Sequence, residues 1–122
     1  MKHRDPLLLA WQTTVSRKAN DAAVFDAHGR VARTFRDVEG QACAFEAKID
    51  DLLPGAVLAV QIGNHEDWPA VFIACLRKQL VVLPLDQSVG DRQRNAALEI
   101  CRASAVVSAL PAEASAKEDV PS

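Results

Sequence analysis

The sequence predicts an α/β fold in which an N-terminal helix and a β-hairpin precede a parallel βαβαβ unit. Three short apolar runs carry the prediction: Val57-Leu58-Ala59-Val60-Gln61-Ile62, Leu80-Val81-Val82-Leu83 and Ala105-Val106-Val107-Ser108. Runs this continuous are the signature of strands covered on both faces. Between the first two, Trp68, Val71, Phe72, Cys75 and Leu76 recur at steps of three and four, and between the last two Ala97, Leu98 and Cys101 do the same. That spacing marks helices. Strand, helix, strand, helix, strand in this order implies parallel pairing with right-handed crossovers.

The elements before this unit follow from local signals. Asp5-Pro6 opens a helix, because Asp caps free amides and Pro at the first helical position forgoes a bond that would be unmade anyway. Leu8, Trp11 and Val15 give that helix one apolar stripe as far as about Lys18, and Asn20-Asp21 breaks it. Residues 22–26 and 31–34 flank Ala27-His28-Gly29-Arg30, a polar connection whose Gly tolerates the positive φ of a tight hairpin. Thr34-x-x-Asp37 is a capping box, and Val38, Ala42, Phe45, Ile49 and Leu52 continue as a long amphipathic helix ended by Pro54-Gly55. Pro69 must lie in the first turn of the next helix, since deeper placement would remove a helical bond. Beyond Leu110 the text turns to Pro, Ala, Glu, Ser, Lys and Asp, so the folded domain is expected over residues 1–110 and a polar, disordered tail over 111–122.

Composition narrows the function classes. The chain has 122 residues, 49% of them hydrophobic, which suffices for one core and no second domain. With 14 Lys and Arg against 16 Asp and Glu, the net charge of -2 argues against nucleic acid as a partner. No apolar stretch approaches the ~20 residues of a membrane span, and no signal-peptide pattern follows the basic start. Three cysteines, Cys43, Cys75 and Cys101, in no Cys-x-x-Cys pattern fit buried free thiols in a reducing compartment, so the protein is expected in the cytoplasm.

The chemistry-bearing residues form no recognisable engine. His3, His28 and His65 are too far apart for a local metal pair. His28 falls in the hairpin turn. His65 follows the first buried strand, where α/β sheets place ligands, but Asn64, Glu66 and Asp67 beside it fit a helix N-terminus with Asn as the cap. Asp86, before Gln87-Ser88-Val89-Gly90, fits a turn better than a pocket carboxylate. The five glycines are isolated, and neither a phosphate loop nor a Gly-x-Ser-x-Gly elbow around Ser16, Ser88, Ser104 or Ser108 is present. Asp50-Asp51 and Glu66-Asp67 are adjacent carboxylates that do not face one another. Trp11, Trp68, Cys75 and Cys101 lie on apolar stripes and are expected to pack. No catalytic, cofactor-binding or metal-ligating residue is assigned.

Order and wording together nevertheless resemble one family. Ala22-Ala23-Val24-Phe25-Asp26-Ala27-His28-Gly29-Arg30 followed by Thr34-Phe35-Arg36-Asp37-Val38 is similar to the A-V-x-D-x-x-G-x-x-x-T-Y-x-E-L opening of the AMP-binding, adenylate-forming enzymes. These comprise acyl-CoA synthetases, luciferases and peptide-synthetase adenylation domains. Pro54-Gly55-x-x-Leu58-Ala59-Val60, Asn64-x-Glu66-x-Trp68 with Ala70 and Ala74, Val81-Val82-Leu83-Pro84-Leu85-Asp86, and Arg92 continue the likeness over about residues 5–108. Lys78-Gln79 stands where the family commonly has Ala-Gly, so Gln79 must take a left-handed turn or end its helix differently, and Gln87 replaces a Pro.

The resemblance implies the front of the family's large N-terminal domain. The Ser/Thr-Gly-rich ATP loop ending in Pro-Lys, the adenine and ribose motifs, and the assisting C-terminal Lys have no counterpart in these 122 residues. The expectation is therefore an N-terminal fragment of an AMP-dependent acid ligase, inactive alone and partnered by the remainder of its domain. ATP and Mg, with CoA as a candidate acceptor, would belong to the full-length enzyme and not to this chain. Two alternatives stand beside it: an α/β interaction or regulatory module derived from the same scaffold, and a small flavodoxin-like nucleotide binder. The carboxylate substrate, the acceptor and the oligomeric state are not legible.

Overall fold

Asp5 and Pro6 open α1 (Pro6–Lys18) as the sequence implies: Asp5 Oδ1 accepts from the backbone N–H of Leu7 at 2.8 Å and of Leu8 at 3.4 Å. The structure, a computed structural model, describes residues 5–110 and 113–120. The hairpin follows as β1 (Ala22–Phe25) and antiparallel β2 (Val31–Thr34). Its connection turns on Asp26, whose Oδ1 accepts from His28 N–H and Arg30 N–H, and on Gly29 at φ 80°. Thr34 and Asp37 form the expected capping box on α2 (Phe35–Lys48).

The remaining elements are β3 (Val57–Gln61), α3 (Trp68–Lys78), β4 (Val81–Pro84), α4 (Asp91–Ile100), β5 (Ala103–Leu110) and β6 (Glu113–Asp119). The main sheet has the order β4-β3-β5-β6, with β3 parallel to both β4 and β5 and β6 antiparallel to β5. Alternation along β3 sends Leu58 and Val60 to one face and Ala59 and Gln61 to the other. The first face, with Ala105, Val107 and Val82, is covered by Phe45, Ile49 and Leu52 from α2 and its exit and by Val71, Ala74 and Cys75 of α3. The second carries Leu98 of α4 over Ala59 and Val106, with Leu83, Leu85, Ala103 and Val120 packed beside them. On the outer side of α2 and α3, Val38, Ala42, Ala70 and Ile73 bury the apolar stripe of α1, through Leu8 and Trp11, and the hairpin residues Ala23 and Val24.

Four expectations are corrected. The α2 helix stops at Lys48, with Ile49 as its cap, rather than running to Pro54; Ile49 and Leu52 remain buried because a non-helical turn continues inward. The β4 strand is not covered on both faces: it lies at the sheet edge, and Val81 is half exposed. Strand order, invisible in a single run of residues, decides this. Cys43 and Cys101 are exposed and only Cys75 is buried, since Cys101 caps α4 beyond its last apolar turn. Finally, the backbone of residues 113–119, expected as a disordered tail, pairs as β6 with β5, from Ala105 opposite Asp119 to Leu110 opposite Glu113. Main-chain hydrogen bonds let a polar strand cover an edge without apolar side chains. Residues 111, 112, 121 and 122 of that expected tail lie outside the described residues.

Gln79 takes the left-handed option, at φ 59° and ψ 39°. Its N–H donates to Leu76 O at 3.1 Å, its carbonyl accepts from Gly55 N–H at 2.8 Å, and the chain enters β4 directly. A residue with a Cβ thus does the work usually left to Gly at a helix end.

Candidate functional site

The helices after β3 and β4 go to opposite faces of the sheet, α3 onto the Leu58 and Val60 face and α4 onto the Ala59 face. Loops leaving two neighbouring parallel strands in opposite directions open a crevice beyond their carboxyl ends, the place where open α/β sheets hold ligands. Here the crevice is lined by Gly63, Asn64 and Trp68 from the β3–α3 loop and by Pro84, Leu85, Asp86 and Gln87 from the β4–α4 loop.

Gln61 ties the β4–α4 loop to β3. It is the polar residue in an otherwise apolar strand, buried to 9% exposure, and its Nε2 donates to Asp86 O at 2.9 Å and Val89 O at 3.3 Å. Asp86 makes the turn the sequence suggested: its Oδ1 accepts from Ser88 N–H and Ser88 Oγ, each at 2.8 Å. Those hydrogen bonds hold its carboxyl below the usual range. Across the crevice Gly63 sits at φ 61°, and a Cβ there would lie 2.5 Å from Gln87 Oε1. The Gln87 side chain therefore lies against the bare Gly63 backbone and partly fills the mouth.

The start of α3 forms the other wall, and the expected Asn64 cap is not there. Asp67 is the N-cap, yet its carboxylate makes no capping bond. It turns instead to Arg33 of β2, with Nη1 to Oδ1 at 2.5 Å, while Arg33 Nη2 meets Glu66 Oε1 at 3.2 Å. His65 Nδ1 accepts from Asp67 N–H at 3.0 Å, which leaves Nε2 to carry the proton of the neutral ring. The hairpin is thus fastened to the β3–α3 loop by an ion pair between residues 34 positions apart.

This arrangement does not fit a nucleotide phosphate. A phosphate at a helix N-terminus needs free backbone N–H groups and no competing anion. Here Glu66 and Asp67 place carboxylates at that end, Pro69 lacks an N–H, and Gln87 occupies the approach to the crevice's only glycine among the described residues. No group of three His, Cys, Asp or Glu among the described residues could hold a metal ion.

The other singled-out residues stay apart from the crevice. His28 is exposed in the hairpin turn, Asp50 reaches Lys78 at 3.5 Å, and His3 lies outside the described residues. Trp11 is half-buried against Phe35, with ring centroids 5.8 Å apart, and its Nε1 donates to Glu39 at 2.8 Å. Glu39 also receives Arg77 Nη2 at 2.6 Å, and Arg77 Nη1 reaches Glu46 at 3.1 Å, so one guanidinium ties α3 to α2 and, through Trp11, to α1. Burial alone would raise the Glu39 carboxyl, but the bonds from Arg77 and Trp11 overcome it and hold the group below its ordinary value. The Cys75 thiol is pushed up to about 12 by burial, which makes it inert, and Cys43 is raised by its hydrogen bond to Glu39. Arg33, Gln61, Gln87 and the Glu39–Arg77 pair escape sequence reasoning. Gln61 left a signal as the lone amide in a buried strand, and Gln87 as a departure from the Pro of the resembling family.

The family model described as "AMP-binding enzyme" matches residues 11–122. The chain belongs to the AMP-binding enzyme family. No curated protein matches this AMP-binding chain in sequence. Among solved structures, its fold is similar to the N-terminal subdomain of NpsA from Klebsiella oxytoca, at TM-score 0.72 and 18% identity, covering 88% of this chain and 28% of that one. It is likewise similar to VinN in complex with 3-methylaspartate, at TM-score 0.74 and 20% identity, covering 87% and 30%. A third likeness is to NpsA-ThdA, an artificially fused adenylation-PCP di-domain from Klebsiella oxytoca, at TM-score 0.74 and 19% identity, covering 95% and 21%. The AMP-binding chain thus spans less than a third of the length of each of these neighbours.

Proposed function

We propose that this chain is the N-terminal part of an adenylate-forming acid ligase, a scaffold that needs the remainder of its domain to activate a carboxylate with ATP. By itself it is catalytically silent. The supporting observation is the exposed apolar surface at the end of the sheet where the parallel strands begin. Val81 opens β4 opposite Val57, Ile100 closes the helix just before β5, and Leu53 stands shortly before β3; their exposures are 52%, 80% and 75%. A self-sufficient module would carry polar residues there, whereas a part of a larger domain leaves such surface for its neighbour. The open edge of β4 and the single helix over the second sheet face point the same way.

In this reading ATP and Mg act in the assembled domain, and the acid and its acceptor, CoA or a carrier, are chosen by residues outside this chain. Three free cysteines, two of them exposed, suit a reducing, cytoplasmic setting. No helix among the described residues is long and apolar enough to cross a membrane. Sequencing the DNA downstream of the Ser122 codon tests the proposal. An in-frame continuation into a Ser/Thr-Gly-rich loop ending in Pro-Lys is expected; a stop codon with no frameshift before it would favour the stand-alone interaction module.

A further inference from the structure

A second cavity lies away from the crevice, between α2 and α3. Its volume is about 160 Å³, and it is lined by Gln41, Ala44, Phe45, Lys48, Asp67, Ala70 and Val71. The floor is apolar: Phe45, Ala70 and Val71 are buried. Three polar groups close it, each with a different status. Asp67 is already engaged by Arg33. Gln41 has its Oε1 buried with no hydrogen-bond partner, which native proteins rarely tolerate without a water or ligand to satisfy it. Lys48, in the last turn of α2, has no carboxylate within ion-pairing distance among the described residues, although Glu and Asp neighbours satisfy Arg77 and Lys78 nearby.

We propose that this cleft binds a small monocarboxylate with an aromatic or compact aliphatic body. The volume sets the size, since a cavity of ~150 Å³ holds a benzene-sized molecule. The apolar floor takes the body, and Lys48 at the rim takes the carboxylate as a charge-assisted hydrogen bond. Rotation of the Gln41 amide toward the cleft would bring its buried Oε1 within reach of a hydroxyl on the ligand and add specificity. The crevice at the strand ends shares only the β3–α3 connection with this site, so binding here is independent of the reading given above for the whole enzyme.

The test is a titration of the ¹⁵N-labelled 122-residue chain with benzoate, 4-hydroxybenzoate and the neutral benzamide, up to about 10 mM because ligands this small bind weakly. Saturable amide shifts are expected over 41–48 and 67–71, with 4-hydroxybenzoate tighter than benzoate. Lys48→Met retains the aliphatic stem of an exposed side chain, so it is expected to fold. It should weaken benzoate about fivefold or more and leave benzamide unchanged. Gln41→Leu should erase the advantage of the hydroxyl while stabilising the free chain. Ala44→Leu, at an exposed helix position on the cleft wall, should weaken all three probes. The proposal is overturned by absence of saturable shifts on α2 and α3, by saturation mapping elsewhere, or by Lys48→Met weakening benzamide as much as benzoate.

Discussion

Gly63 shows how a single residue shapes the crevice. Its φ of 61° is strained for any other residue, and the Gln87 side chain rests where a Cβ would go. Gly63→Ala is expected to cost about 1–2 kcal/mol in urea unfolding, chiefly from the left-handed backbone. Because the obstructing atoms are the end of a flexible, exposed side chain, adding Gln87→Ala should recover no more than about 0.5 kcal/mol of that. Full recovery would place the strain in the contact rather than in the backbone. Arg33 is the second such residue. Arg33→Met leaves the Asp67 carboxylate, 6% exposed, without its guanidinium, and the expected loss is about 2–3 kcal/mol, measured by the same unfolding. Neither role was legible in the sequence. A left-handed Gly is one of five isolated glycines, and an ion pair spanning 34 positions leaves no periodic trace. By contrast, the left-handed Gln79 was legible as one of two options, because the resemblance sets Lys78-Gln79 where the family commonly closes the helix with Ala-Gly.

At the scale of elements, α2 offers two opposing changes on one helix. Thr34→Ala removes the capping box and should destabilise by about 1 kcal/mol. Gly40→Ala, at an exposed helical position where a Cβ meets nothing within 4 Å, should stabilise by about 0.5–1 kcal/mol. Thermal unfolding of the two single variants and the double variant checks both signs. Two carboxylates of α2 and one of the β4–α4 loop set the acid response. Asp37 is held low by its hydrogen bonds to Thr34, Glu39 by Arg77 and Trp11 against the opposing effect of burial, and Asp86 by Ser88. In the native state these groups therefore bind protons more weakly than in the unfolded chain. The stability they add is present above the unfolded carboxylate pKa and is lost as pH falls through their lower folded values. Urea midpoints should be level from about pH 7 to 5 and fall below about pH 4, and Glu39→Gln should flatten that fall. The helices and parallel strands were legible because burial repeats every three to four residues in one and runs continuously in the other. The β6 strand was not, because an edge strand can pair through its main chain whatever its side chains, and the exposure of β4 was not, because it depends on strand order. The end of α2 fell between, with its buried stripe foreseen and its turn away from helix after Lys48 unforeseen.

For the whole molecule, the same arithmetic that allows one core leaves one sheet face lightly covered and an edge strand open. The crevice stands at the position where α/β proteins bind ligands, and the carboxylates at the start of α3, with Gln87 at the crevice mouth, do not suit a phosphate. Family membership and fold agree with the wording of the sequence, and the length relative to NpsA and VinN agrees with a part rather than a whole. The most direct measurement of this claim is ATP–pyrophosphate exchange by the purified 122-residue chain over a panel of aryl, aliphatic and amino acids, with an intact adenylation enzyme run alongside. Exchange is expected to stay at the no-acid background for every acid while the intact enzyme exchanges. Robust acid-dependent exchange by this chain, lost when the protein is heat-denatured, would contradict the account, because a complete adenylating site would then reside in these residues.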